Sequence, residues 1–300
     1  MVSPQTEDPL HDLDDRAPPA PDTPARRRRG RLRRRILRST ALWPALFTIG
    51  NAMCGFAAIH FATKDAVGQA SLTNIAVAGW LIVAAMVCDL LDGRLARMTR
   101  RTSDFGGQLD SLSDVISFGA APAVLMVRTV VTVLPAQVRY VAVERMIMCV
   151  AGVYLACAAL RLARFNVENE PDESAHMHFW GLPTPAAAAG ITTLVLLFAR
   201  MRAEGWIGEA WLSYSTSALL PAVALAGALL MVSRIRYPHL INQYIRRRSS
   251  VGYLVRLLLV GFAVLLQPLA TAAVVSVGYM LWSPLRAAWR GTRGQPAASH

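Results

Sequence analysis

Charge is scarce in this chain. Asp, Glu, Lys and Arg make up 17% of its 300 residues and hydrophobic types 54%, whereas roughly a quarter of an ordinary soluble protein is charged. Lysine is almost missing, with Lys64 the only one. The charges that remain are clustered, which leaves long stretches nearly free of them. That excludes an ordinary soluble globule and fits a chain that crosses a membrane repeatedly. Cysteine is sparse too. Cys54, Cys88, Cys149 and Cys157 all lie in apolar stretches and none forms a C-x-x-C pair, so they are read as small buried residues, neither a disulfide framework nor a zinc set. Aromatics are not interleaved with the basic runs, so the net charge of +12 does not point to nucleic acid, which needs stacking platforms beside its cations. The arginines sit instead at the ends of apolar segments, where anionic lipid headgroups would meet them.

Composition divides the chain into four parts. Residues 1–38 read as a disordered tail, first acidic and Pro-rich, then the run RRRRGRLRRRILR from Arg26 to Arg38; neither half can bury enough apolar surface to offset chain ordering. Residues 39–240 form a transmembrane core, 241–287 a C-terminal transmembrane hairpin and 288–300 a flexible tail. On a scale of about 20 apolar residues per span, the periodicity predicts helices near 42–62, 72–97, 111–134, 146–166, 183–200, 215–233, 251–267 and 269–284. The last two are separated only by Pro268. The expected fold is therefore all-α, a polytopic helix bundle.

Arginine placement predicts the orientation. With the amino terminus inside, the inside loops hold Arg26–Arg38, Arg100, Arg101, Arg234, Arg236, Arg246–Arg248, Arg286, Arg290 and Arg293. The outside loops hold only Lys64, Arg139, Arg145, Arg200 and Arg202. The positive-inside bias places both termini, and the segment 97–110, on the cytoplasmic face of the cell membrane.

The most informative stretch is CDLLDGRLARMTRRTSDFGGQLDSLSDVISFGA, from Cys88 to Ala120. Asp89, Asp92, Asp110 and Asp114 fall at or near membrane depth on two consecutive helices. A bilayer charges about 2.5 kcal/mol or more for such an ion near its centre, so each is a functional candidate. Asp89 and Asp92 are spaced i, i+3, and Asp110 and Asp114 i, i+4, so each pair projects from one helix face. Gly93 and Ala96 remove bulk on the Asp89 face, and the loop TRRTSDFGG folds the second helix back beside the first. Four carboxylates that close repel unless cations neutralise them. Hard oxygen ligands without His or Cys suit Mg²⁺ or Mn²⁺. The other reading, helix-end caps, accounts for one pair and not for both.

The pattern D-x2-D-G-x2-A-R-x8-G-x3-D-x3-D resembles the signature of the CDP-alcohol phosphotransferases. Here it reads Asp89, Asp92, Gly93, Ala96, Arg97, Gly106, Asp110 and Asp114, with every spacing intact. The resemblance implies a six-helix core, a homodimer, and a site open to the cytoplasm. It implies that Asp89, Asp92, Asp110 and Asp114 hold divalent ions, two of Mn²⁺ or Mg²⁺, on the diphosphate of a CDP-lipid. Asp114 would be the general base, a role a weakly nucleophilic hydroxyl requires, and Gly93 and Ala96 would leave room for cytidine. Arg97 would pair with a phosphate or with an aspartate.

Further stretches are similar to those of the bacterial-type phosphatidylserine synthases within that family. They are Phe47–Phe56 (FTIGNAMCGF, with Ala52 where Leu is more usual), Asp110–Pro122, Leu160–Val167 (LRLARFNV), Phe179–Pro185 (FWGLPTP) and Met231–His239 (MVSRIRYPH). This resemblance covers roughly residues 42–240 and implies CDP-diacylglycerol and L-serine as substrates. A zwitterionic acceptor needs a cation for its carboxylate, and Arg161 and Arg164, spaced i, i+3, are the candidates; interfacial anchoring is their other reading. Asn51 and Asn166 would contact cytidine or serine, or else bond between helices. His176 and His178 lie in a polar loop without further ligand spacing and are read as solvated. Glycerol 3-phosphate or inositol as acceptor keeps the same chemistry. A cation transporter is the reading from another class, against which stands the single copy of the aspartate motif.

Overall fold

The computed structural model describes residues 45–64, 69–99, 104–134, 140–168, 181–206, 208–233, 235 and 261–292, apart from the side chains of 69, 70, 96–99, 104, 168, 287, 288 and 290–292. Its helices are α1 (Ala45–Thr63), α2 (Gln69–Thr99), α3 (Asp104–Asp114), a π-helical segment (Val115–Ala120), α4 (Ala121–Val133), α5 (Val141–Glu168), α6 (Thr184–Glu204), α7 (Glu209–Val232) and α8 (Pro268–Thr292). α3, the π segment and α4 run on as one rod. Among the described residues seven helices are long and apolar enough to cross a membrane. In hydrocarbon every backbone group must bond within its own segment, which is why such a chain is helical throughout.

Most predicted spans match observed helices, with shifted ends. The span predicted at 111–134 begins at Asp104, so Asp104–Gly107, expected as loop, is helix. α5 and α7 also start earlier than predicted, at Val141 and Glu209. α8 runs to Thr292 and carries Pro284 within it, so the boundary expected at 287 falls inside a helix. Of the span predicted at 251–267, residues 261–266 are helical and the remainder lies outside the described residues. The amino-terminal tail also lies outside them. Cys149 is exposed rather than buried: it sits on an outward face of α5, where lipid takes the place of core.

The core packs α6 against α2, α7 and α8, and α5 against α7 and the π segment. Tyr154, fully buried in α5, donates to the Phe118 carbonyl at 3.0 Å. Pro122, four residues after Phe118, has no N–H to offer this carbonyl, and the phenol reaches it from α5. α1 comes very close to the π segment. A Cβ on Gly55 would lie 2.7 Å from the Ser117 Cα, so only glycine permits this approach. Ser117 uses it: its one hydroxyl proton is shared between Ser113 O at 2.8 Å on the same rod and Asn51 O at 3.0 Å in α1. At the other end of the pair, Arg128 in α4 donates to Ala62 O at 3.1 Å.

One turn decides where α6 begins. Gly181 has φ +84°, a conformation L side chains rarely adopt, and a Cβ there would collide with the Met231 carbonyl. Its N–H donates to Ile235 O and that of Leu182 to Leu230 O, both at 3.0 Å. Gly181 and Leu182 therefore meet Leu230, Met231 and Ile235 at and just beyond the end of α7, and this contact sets Thr184, fully buried, at the first turn of α6.

Candidate active site

The carboxylates converge near the C-terminal end of α2 and in the first turns of α3. One oxygen each from Asp89, Asp92 and Asp110 lie within 4.8 Å of one another. Asp92 is 4% exposed and Asp114 8%, so neither relies on water. Asp114 stands one turn beyond Asp110 and accepts a hydrogen bond from Asn51 Nδ2 at 3.0 Å on Oδ1. It also lies within electrostatic reach of the other three aspartates. Thr48, one turn before Asn51 in α1, bonds through its side chain to Asp92. α1 thus serves both halves of the acidic centre, and the glycine contact with the π segment brings it near enough.

Two buried oxygens test whether a cation fits here. Asp92 Oδ2 and Asp110 Oδ1 are buried and have no protein hydrogen-bond partner. An unsatisfied buried carboxylate oxygen is costly, and a hard divalent ion among oxygen donors is the partner that removes the cost. The donor set is all carboxylate, with His and Cys absent from it. The fit to Mg²⁺ or Mn²⁺ is good.

The remaining candidates divide between interior and surface. At Gly93 a Cβ would meet nothing within 4 Å, so open space adjoins the acidic cluster. Ala96 and Arg97 follow in α2, but their side chains lie outside the described residues. Arg161 in α5 turns inward: its Nη1 donates to Thr184 Oγ1 at 2.6 Å, and Asp114 lies within its electrostatic reach. Its Nε is buried with no partner. Arg164, one turn further on, is exposed, so the two arginines are not brought together. Asn166 Oδ1 accepts from Ser111 Oγ at 3.0 Å, tying α5 to α3. His176, His178, Arg234 and Arg236 lie outside the described residues.

Sequence reasoning missed Thr48, Ser117 and Thr184. Thr48 carried a signal, since it lies i, i+3 from Asn51 and so shares its helix face. Thr184 carried none, because its link to Arg161 depends on the Gly181 turn.

A bundle of membrane-spanning helices around a buried, hydrogen-bonded carboxylate cluster defines a polytopic membrane protein with an acidic, cation-ready centre. The chain belongs to the CDP-alcohol phosphatidyltransferase family, which matches residues 41–231. It is 32% identical over 248 residues to a CDP-diacylglycerol–serine O-phosphatidyltransferase of Helicobacter pylori, covering 82% of this chain and 90% of that protein. The enzyme of the same description from Bacillus subtilis is 34% identical over 196 residues, 65% of this chain and 89% of that one. An archaetidylserine synthase of Methanothermobacter thermautotrophicus is 32% identical over 197 residues, 65% of this chain and 69% of that protein.

Proposed function

We propose that this protein transfers the phosphatidyl group of CDP-diacylglycerol to the hydroxyl of L-serine, giving phosphatidylserine and CMP. The observation that carries the reading is the placement of Asp114. It adjoins the cluster of Asp89, Asp92 and Asp110, is bonded to Asn51, and lies within reach of the inward-facing Arg161. The relatives named for the serine reaction support the choice of acceptor.

In this reading Asp89, Asp92, Asp110 and Asp114 are the residues that would hold divalent Mg²⁺ or Mn²⁺, two ions, where the diphosphate of the lipid binds. Bound there, such ions supply charge neutralisation for the phosphoryl oxygens and for the leaving CMP. The open space beside Gly93, with Ala96, receives the cytidine, and Arg97 a phosphate. Asn51 orients Asp114 by occupying one of its oxygens. Asp114 takes the proton of the serine hydroxyl as that oxygen bonds to the phosphatidyl phosphorus. The bond from this phosphorus to the bridging oxygen breaks, and CMP departs with that oxygen. Arg161 holds the serine carboxylate in fork geometry. Arg164, exposed one turn away, meets lipid or diphosphate phosphate.

The site and both termini face the cytoplasm of a cell membrane. The bias of arginines supports this. The functional core in this reading spans 39–240, with 241–287 as a C-terminal helical addition, and the working unit is a homodimer. An acceptor panel with radiolabelled CDP-diacylglycerol tests the function. Serine should be the acceptor that gives labelled lipid, and label in phosphatidylglycerol phosphate or phosphatidylinositol instead would replace it.

A further inference from the structure

α5 lies antiparallel along the rod of α3 and the π segment, and three contacts fix its register. Tyr154 donates to Phe118 O at 3.0 Å. A Cβ on Gly119 would stand 3.1 Å from Leu155 Cδ1 and 3.5 Å from Ala158 Cβ. Asn166 accepts from Ser111 Oγ at 3.0 Å. Tyr154, Ala158 and Arg161 are spaced i, i+4 and i+7, so they share one face of α5. Asp114 stands on the rod between Ser111 and Phe118, and Arg161 stands on α5 between the residues that meet those two. This pairing puts Arg161 at the level of Asp114.

Thr184 fixes which edge of that guanidinium is available. Its Oγ1 accepts from Arg161 Nη1 at 2.6 Å. Nη1 is the terminal nitrogen on the Cδ side, so this bond leaves untouched the edge made by Nε and Nη2. Nε is buried and has no partner, a costly state for a charged donor. The same edge is the side-on fork that matches the two oxygens of a carboxylate. Thr184 is itself firmly held. It is fully buried and opens α6 between Pro183 and Pro185, whose rings fix their own φ. The Gly181 turn ties the same segment to the end of α7.

We propose that Thr184 is a positioning residue for the acceptor: it holds the Arg161 guanidinium by Nη1 so that the edge of Nε and Nη2 receives the acceptor carboxylate beside Asp114. The proposal rests on the reading of Arg161 given above, and adds the edge that binds and the residue that aims it. An acceptor hydroxyl without a carboxylate gains nothing from this arrangement, so the pair selects for hydroxy acids.

The test uses the full-length protein in mixed micelles of CDP-diacylglycerol and detergent. Initial rates are measured against serine at saturating lipid and against lipid at saturating serine. Thr184→Val keeps the branched shape and removes the hydroxyl. The KM for serine should rise about tenfold, as for loss of one hydrogen bond to a charged group, while kcat and the KM for CDP-diacylglycerol stay within about twofold. Thr184→Ser, which restores the hydroxyl, should bring the serine KM back to within about twofold of the parent. If Thr184→Val is not recovered folded, Thr184→Ala against Thr184→Ser makes the same comparison. Arg161→Lys, which keeps the charge and loses the fork, serves as the reference. If it raises the serine KM and Thr184→Val leaves it unchanged, the positioning role is overturned and the reading of Arg161 survives. If neither position affects the serine KM, the reading of Arg161 fails and the inference with it. An equal rise in Thr184→Val and Thr184→Ser, or a fall in kcat with both KM values unchanged, would make Thr184 a packing residue and overturn the proposal.

Discussion

Asn51 in α1 donates a 3.0 Å hydrogen bond to Asp114 in α3, across 63 residues of sequence, and neither side chain depends on water for it. The bond occupies Oδ1 of Asp114 and leaves the other oxygen for a metal ion or a proton. A carboxylate held at one oxygen is oriented as a free one is not. Asn51→Ala would leave that oxygen buried and unpaired, a loss of about 1–3 kcal/mol. The expected result is a fall in kcat of about tenfold or more with a lowered melting temperature in detergent. Full turnover at unchanged stability would mean that Asp114 is held by other means.

Asp114 and Asp89 should separate on mutation. Asp114→Asn keeps size and removes basicity. It should still bind CDP-diacylglycerol and lose serine transfer by roughly 10²–10⁴-fold, as for removal of a general base. Asp89→Asn removes a ligand from the cluster of Asp89, Asp92 and Asp110 and should weaken metal and lipid binding together, and more than Asp114→Asn, which leaves that cluster whole. Both variants are titrated with both substrates, and normal turnover in Asp114→Asn would remove the base assignment.

Chelation probes the orphaned oxygens of Asp92 and Asp110. Activity should vanish in excess chelator and return with Mn²⁺ or Mg²⁺. Because three carboxylate oxygens lie within 4.8 Å, the ion should also stabilise the fold, and the melting temperature should rise with metal concentration. Complete turnover with the chelator present is the outcome that excludes a metal centre.

Two glycines predict opposite defects. Gly93 adjoins open space, whereas a Cβ at Gly55 would lie 2.7 Å from Ser117 Cα. Gly93→Leu should abolish binding of CDP-diacylglycerol while the protein still folds. Gly55→Leu should destabilise the fold by about 1–3 kcal/mol or more, as overpacking does, with activity lost in step. Thermal unfolding and CDP-lipid binding on both variants decide it, and a folded Gly93→Leu with unchanged affinity would reassign that glycine to helix packing.

Topology is checked by reporter tags at the amino terminus, near Arg246 and at the carboxyl terminus. All three should report the cytoplasm. An outside signal from either terminus would break the even number of crossings or the orientation.

The aspartate pairs were legible in the sequence because helical periodicity brings i, i+3 and i+4 to one face whatever surrounds the helix. The spans were legible because hydrocarbon demands about 20 apolar residues for each crossing. Helix ends were less so: Asp104–Gly107 reads as a loop by its Ser-Asp and Gly-Gly punctuation, yet it is the first turn of α3. Gly and Asp are tolerated in a helix end that tertiary packing supports.

Composition and spacing alone determined a polytopic helix bundle with four carboxylates at membrane depth. Only the tertiary structure decided which of them meet, which face partners, and which arginine turns inward. Asp89, Asp92 and Asp110 close into one cluster, while Asp114 is bonded to Asn51. Arg161 reaches Thr184, while Arg164 is left exposed. The reason is distance. A contact across 63 residues, or from α5 to α6, depends on how closely two helices approach and at what rotation. Here both are set by missing side chains and a single turn: Gly55 against Ser117, and Gly181 against the Met231 carbonyl.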